Sequence, residues 1–123
     1  MADYIFFNNN PEKLIENDCV ARAISLASGL PYEAIEDKLY LTSKLFECPK
    51  LCICCYENLL NYVFNYENIY GVVGMTINDF ANKFPYGVYL VRVEGHLSVV
   101  YEGKIMDIFD CRDMIITDCW RAK

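Results

Sequence analysis

The chain has 123 residues, 54% hydrophobic and 23% charged, enough for one domain with one core and too apolar for a disordered polymer. A net charge of −6 argues against a nucleic-acid backbone as partner, because phosphate binding needs basic patches. No apolar run reaches the roughly 18 residues of a membrane span, and seven cysteines behind a start, Met1–Tyr4, that lacks a basic n-region point to free thiols in a reducing cytoplasm.

Tyr4-Ile5-Phe6-Phe7 opens the chain as an aromatic stretch, and Asn8-Asn9-Asn10-Pro11 follows with strong turn signals. Helical spacing of Val20, Ala23, Ile24 and Ala27 predicts a helix over about 18–28, capped by Asn17 or Asp18 and ended by Gly29. Pro31 fits the first turn of a second helix carrying Ile35, Leu39 and Leu45 inward. A third helix is predicted from about Cys52 to Tyr66 with Leu59, Leu60, Val63 and Phe64 inward. Gly71 and Gly74 break the chain, and Thr76-Ile77-Asn78-Asp79 reads as a cap for a short helix to about Phe84. Strands follow at Val88–Val93, Leu97–Tyr101, Lys104–Phe109 and Ile115–Trp120, the middle pair forming a hairpin around Glu102-Gly103. Helices first and antiparallel strands second is the pattern of an α+β domain, with no repeat or linker to divide residues 1–123.

Two residues carry the chemistry. Cys19 falls in the first turn of the first helix, where unpaired N–H groups and the helix dipole lower a thiol pKa. His96, the only histidine, opens a strand behind Gly95, a residue that permits close approach of a backbone or substrate. Each has an ordinary alternative, Cys19 as a small buried hydrophobe and His96 as a hydrogen-bonded structural residue. Together they are the parts of a base-activated thiol nucleophile. An orienting carboxylate would fix the imidazole tautomer, and Asp107 and Asp110 are the candidates on the next strand. A two-residue turn at Glu102-Gly103 pairs Tyr101 with Lys104 and Ser98 with Asp107, which puts Asp107 diagonal to His96 on one face and Phe109 beside it. A three-residue loop would select Asp110. The two-residue turn is commoner, so Asp107 is preferred.

The order Cys19, His96, Asp107 resembles the papain-like cysteine peptidases, in which the nucleophile opens an early helix and His then Asp or Asn follow on adjacent strands. Asp107-Ile108-Phe109 is similar to that family's Asn-Ser-Trp, whose aromatic shields the imidazole pair. A closer resemblance is to small C39-like cysteine peptidases of bacteriophages and prophages of Gram-positive bacteria. It is carried by Asp18-Cys19, Arg22-Ala23-Ile24, Ala27-Ser28-Gly29, Gly95-His96, Glu102-Gly103, Asp107-Ile108-Phe109-Asp110 and Cys119-Trp120. The resemblance spans roughly residues 8–122 and is loose between about 40 and 75. It implies a papain-like fold, with the Cys-bearing helix packed on a C-terminal antiparallel sheet. The implied activity is that of a thiol hydrolase acting on a peptide or protein without metal or cofactor, in the host cell cytoplasm if phage-encoded. Phe109 stands where the group has Trp, and Asn17 where it has Gly. No Gln lies shortly upstream of Cys19, so Asn17 or a backbone N–H would have to serve as oxyanion donor.

Arg22, one turn beyond Cys19, can pair with Asp18 or another carboxylate and brace the site, or be an ordinary surface charge. Cys48, Cys52 and Cys55 have partial hook spacing for zinc, but a helix start with sulfurs packed on the core explains them better. Tyr62, Tyr66 and Tyr70 read as packing residues. The same triad also serves acyl transfer, and a non-catalytic phage protein that blocks a host factor on the same scaffold is the reading from another class.

Overall fold

The computed structural model describes residues 2–13, 18–50 and 52–122. In chain order these form β1 (Asp3–Phe6), α1 (Cys19–Ser28), α2 (Tyr32–Leu45) and α3 (Ile53–Asn58), which runs on into a π-helical turn at Leu59–Val63. Then come β2 (Glu67–Asn68), α4 (Ile77–Lys83), β3 (Val88–Val93), β4 (His96–Tyr101), β5 (Lys104–Asp107) and β6 (Asp118–Arg121). The architecture is α+β: four α-helices and one six-stranded sheet among the described residues, in the order β1-β5-β4-β3-β6-β2.

The sheet is mixed, which corrects the expectation of a purely antiparallel one. The aromatic stretch at the N-terminus is itself a strand, β1, and runs parallel to β5 with Tyr4 opposite Ile105 and Phe6 opposite Asp107. The short strand β2 adds to the other edge through Trp120 and Arg121.

Strands β3 and β4 read as nearly unbroken apolar runs because both faces are covered. On one face α1, α2 and α3 contribute Ile24, Ala27, Ile35, Leu39, Leu59 and Leu60 against Leu90, Leu97, Val99 and Trp120. On the other, Ile77 and Phe80 of α4 join Val72 and Ile116 over Tyr89, Val91, Val100 and Ile105. Helix α1 therefore lies on the strand that carries His96.

Local sequence explains most boundaries. Thr76 Oγ1 accepts the Asp79 N–H at 3.1 Å, the predicted cap of α4. Glu102 and Gly103 adopt positive φ of 50° and 75°, the two-residue turn that joins β4 to β5 with Tyr101 opposite Lys104. A Cβ on Gly103 would also stand 3.2 Å from the Pro85 Cα. Gly95 (φ 75°) serves the equivalent turn between β3 and β4, with Val93 opposite His96. No protein atom lies within 4 Å of the place a Gly95 Cβ would occupy, so its positive φ and not close approach of another backbone accounts for that glycine in the fold.

Three packing expectations are corrected. Leu45 is 73% exposed, because it falls about 80° around the helix from Ile35 at 100° per residue. Val63 is 45% exposed. The π turn, closed by Phe64 N–H onto the Leu59 carbonyl at 2.9 Å, buries the consecutive Leu59 and Leu60 and rotates later residues off the core face. Of the three tyrosines Tyr66 is half-buried and stacked on Phe64 with centroids 5.2 Å apart, Tyr62 stacks on Phe46 at the surface, and Tyr70 is exposed.

Candidate active site

Cys19 is the first residue of α1, and Asp18 occupies the N-cap position. Helix geometry leaves the Cys19, Val20 and Ala21 N–H groups without intrahelical acceptors, since the first helical bond is Arg22 N–H to the Asp18 carbonyl at 3.1 Å. His96 opens β4 and Asp107 closes β5. The β4–β5 ladder pairs Tyr101 with Lys104 and Val100 with Ile105, and side chains continue that register beyond it. Ser98 Oγ donates to Asp107 Oδ2 at 2.6 Å, and His96 Nε2 lies 2.6 Å from the same oxygen. With Nε2 engaged by the carboxylate, Nδ1 is the ring nitrogen left for the thiol. Cys19 and His96 line the same cleft, and each shifts the other's protonation.

Cys19, His96 and Asp107 are therefore gathered at one site, the thiol and imidazole on a shared cleft and the carboxylate behind the ring. The Phe109 ring lies against the imidazole, centroids 4.5 Å apart at 49°, in the position expected from the register. Asp110 is not part of that site. Its exposed carboxylate takes the guanidinium of Arg112, with Arg112 Nη2 2.7 Å from Oδ2. Arg22 is buried, not a surface charge: Nε contacts Asp18 Oδ1 at 2.6 Å and Nη1 contacts Asp107 Oδ1 at 3.2 Å. Asn17 lies outside the described residues, so the proposed oxyanion role for its side chain has no geometry attached to it.

The electrostatics follow from these contacts. Burial pushes the Cys19 thiol up, but hydrogen bonds from His96 and the Leu97 N–H, with the charges of His96 and Arg22, outweigh it and bring the pKa below its ordinary value. Burial pushes the imidazole down, yet hydrogen bonds and charge from Asp107 and Cys19 hold His96 at about 9. Burial would raise Asp107; His96, Ser98 and the Ile108 N–H, which donates to Oδ1 at 2.7 Å, lower it instead. The two shifts at Cys19 and His96 act in the same sense, toward a thiolate–imidazolium pair.

Several supporting residues carry no strong sequence signal. Ser98 is a lone hydroxyl in an apolar strand, and its pairing with Asp107 was readable from the register, though not its role as a second donor. Asp18 accepts from Asn10 Nδ2 and the Tyr32 hydroxyl, both at 2.9 Å, contacts that cross three separate segments. Cys111 sits behind the acid. Its thiol donates to Ser98 Oγ at 3.5 Å and lies 3.9 Å from Asp107 Oδ2, and burial pushes it up to about 11, so it stays protonated.

A cleft of about 260 Å³ opens beside Cys19 and His96. Val20, Leu39, Ile53, Tyr56 and Val93 give it an apolar lining. Its charged side chains are already paired: Asp18 with Arg22, Glu36 with Lys50, and Arg92 with Glu57 and Asp118. Of the cysteines at 48–55, Cys55 is buried and donates to the Leu39 carbonyl at 3.4 Å, while Cys48, Cys52 and Cys54 gather their sulfurs together. Among the described residues no helix is long and apolar enough to cross a membrane. No protein-family model, curated protein or solved structure matches the chain.

Proposed function

We propose that this is a papain-like thiol hydrolase, a cysteine peptidase whose triad is Cys19, His96 and Asp107. The observation that carries the reading is a thiol at a helix N-terminus that shares a cleft with an imidazole whose Nε2 lies 2.6 Å from a buried carboxylate. In the first half-reaction the Cys19 thiolate attacks the scissile carbonyl carbon. As the tetrahedral intermediate collapses, the C–N bond breaks and His96 gives its proton to the leaving amine. The acyl group is left as a thioester on Cys19. His96 then takes a proton from water, the hydroxyl adds to the thioester, the C–S bond breaks and the acid departs. Asp107 holds the ring in one tautomer. The Cys19 N–H, free of an intrahelical acceptor, is the nearest candidate for an oxyanion donor. An apolar cleft with its charges paired favours an uncharged side chain in the peptide.

Thiol reactivity tests the proposal. Iodoacetamide near neutral pH should modify Cys19 rapidly, and His96→Ala should slow Cys19 without slowing Cys52. Cys52 has a pKa lowered chiefly by a hydrogen bond from Cys54, so it is an internal control. Cys19 labelling indifferent to His96 would sink the hydrolase and favour a non-catalytic binding protein.

A further inference from the structure

A second thiol centre stands apart from the triad. The Sγ atoms of Cys48, Cys52 and Cys54 all lie within 4.8 Å of one another. Cys48 follows α2, its N–H on the Ser43 carbonyl at 3.1 Å. Cys52 precedes α3, its N–H on the Pro49 carbonyl at 3.0 Å, and Cys54 is the second residue of that helix. These bonds fold the segment back so that sulfurs at positions i, i+4 and i+6 converge. Around one ion with metal–sulfur bonds of about 2.3 Å, three sulfurs stand roughly 4 Å apart. The observed separations, all within 4.8 Å, are close to that spacing.

We propose that Cys48, Cys52 and Cys54 bind one thiophilic d10 metal ion, Cu(I) or Zn(II). Three soft sulfurs with no carboxylate among them select such ions over magnesium or calcium. A trigonal sulfur set satisfies Cu(I) as it stands and leaves Zn(II) one position for an exogenous ligand. Two of the sulfurs are half-buried and Cys54 is exposed, which gives the ion a path in. Cys55 is excluded by its turn into the core. This inference is independent of the peptidase reading, because none of the three thiols belongs to the triad.

The test is anaerobic titration of the reduced full-length protein with Cd(II), followed by its thiolate-to-metal ultraviolet band. The band should saturate at one equivalent. Cys52→Ser and Cys54→Ser should each weaken binding by about a hundredfold or more while far-ultraviolet circular dichroism stays unchanged. Cys19→Ser and Cys111→Ser should leave it intact. Displacement of Cd(II) by Cu(I) or by Zn(II) identifies the ion. At a hundredfold excess over Kd the bound ion should also raise the melting midpoint by about 10 °C. No band at micromolar Cd(II), displacement by neither ion, a band lost in Cys19→Ser, or a band indifferent to both Cys52→Ser and Cys54→Ser would overturn the proposal.

Discussion

Replacing Asp107 by Asn should move the protonation of His96, and the chain makes that measurable because it holds a single histidine. The imidazole sits at about 9 instead of its ordinary 6.5, which corresponds to about 3 kcal/mol in favour of the imidazolium. Burial opposes this; Asp107 supplies the leading favourable contribution and Cys19 the next. An Asn at 107 keeps the shape and removes the charge, so the midpoint of the His96 ring protons in a proton NMR titration should fall to between about 6.5 and 8. The effect passes on to the nucleophile. An imidazole that holds its proton less firmly stabilises the thiolate less, so the Cys19 pKa rises and iodoacetamide alkylation at pH 7 slows by about tenfold for each 1.4 kcal/mol lost. A native protein whose histidine titrates near 6.5, or an Asp107→Asn variant that still titrates near 9, would refute the account.

Arg22→Ala should cost about 3–5 kcal/mol in urea unfolding, because it leaves the Asp18 carboxylate without a counter-charge and takes one of two from buried Asp107; a loss under 1 kcal/mol would mean the pairing is incidental. Asp110→Asn should change stability by no more than about 0.5 kcal/mol and leave the His96 midpoint in place, and a displaced midpoint would transfer the orienting role to Asp110. The raised pKa of His96 gives stability that is full below about 6.5 and lost as pH rises through about 9, whereas the lowered pKa of Cys19 adds stability as pH rises, so the two offset each other in the native protein. Cys19→Ser removes the second and leaves His96 the part of its shift that Asp107 supplies, so its urea midpoint should fall as pH rises above about 6.5 while the native midpoint stays flatter; parallel curves would contradict the ion pair.

Much of the site was legible because it depends on short-range rules. The Glu102-Gly103 turn has a fixed length, a fixed length sets the register, and the register decides between Asp107 and Asp110. The apolar spacing of Val20, Ala23, Ile24 and Ala27 placed Cys19 at a helix start by the same logic. What escaped is long-range or depends on a local irregularity. A parallel pairing between residues 3–6 and 104–107 leaves no periodic trace, and the charged Asp3 and turn-rich Asn8-Asn9-Asn10 disguise β1 as a loop. The π turn at Leu59–Val63 breaks the 3.6-residue period on which Val63 was placed inward. The i,i+4 spacing offers Arg22 the carboxylate of Asp18, but only the folded chain brings Asp107, 85 positions away, to the same guanidinium.

The N-terminus of α1 shows what that pairing accomplishes. Asp18 is of a type that caps helices, a contact worth about 1 kcal/mol, yet its side chain makes no cap bond. Its carboxylate is drawn away to Arg22, Asn10 and Tyr32. A capping carboxylate would set a negative charge at the helix end beside the thiol, raising its pKa. Arg22 prevents this. Its guanidinium holds Asp18 off the helix end, places positive charge near the sulfur, and ties α1 to the strand that carries Asp107. The helix forgoes a cap, and the thiol gains an electropositive, donor-lined position on the helix that Arg22 ties to Asp107.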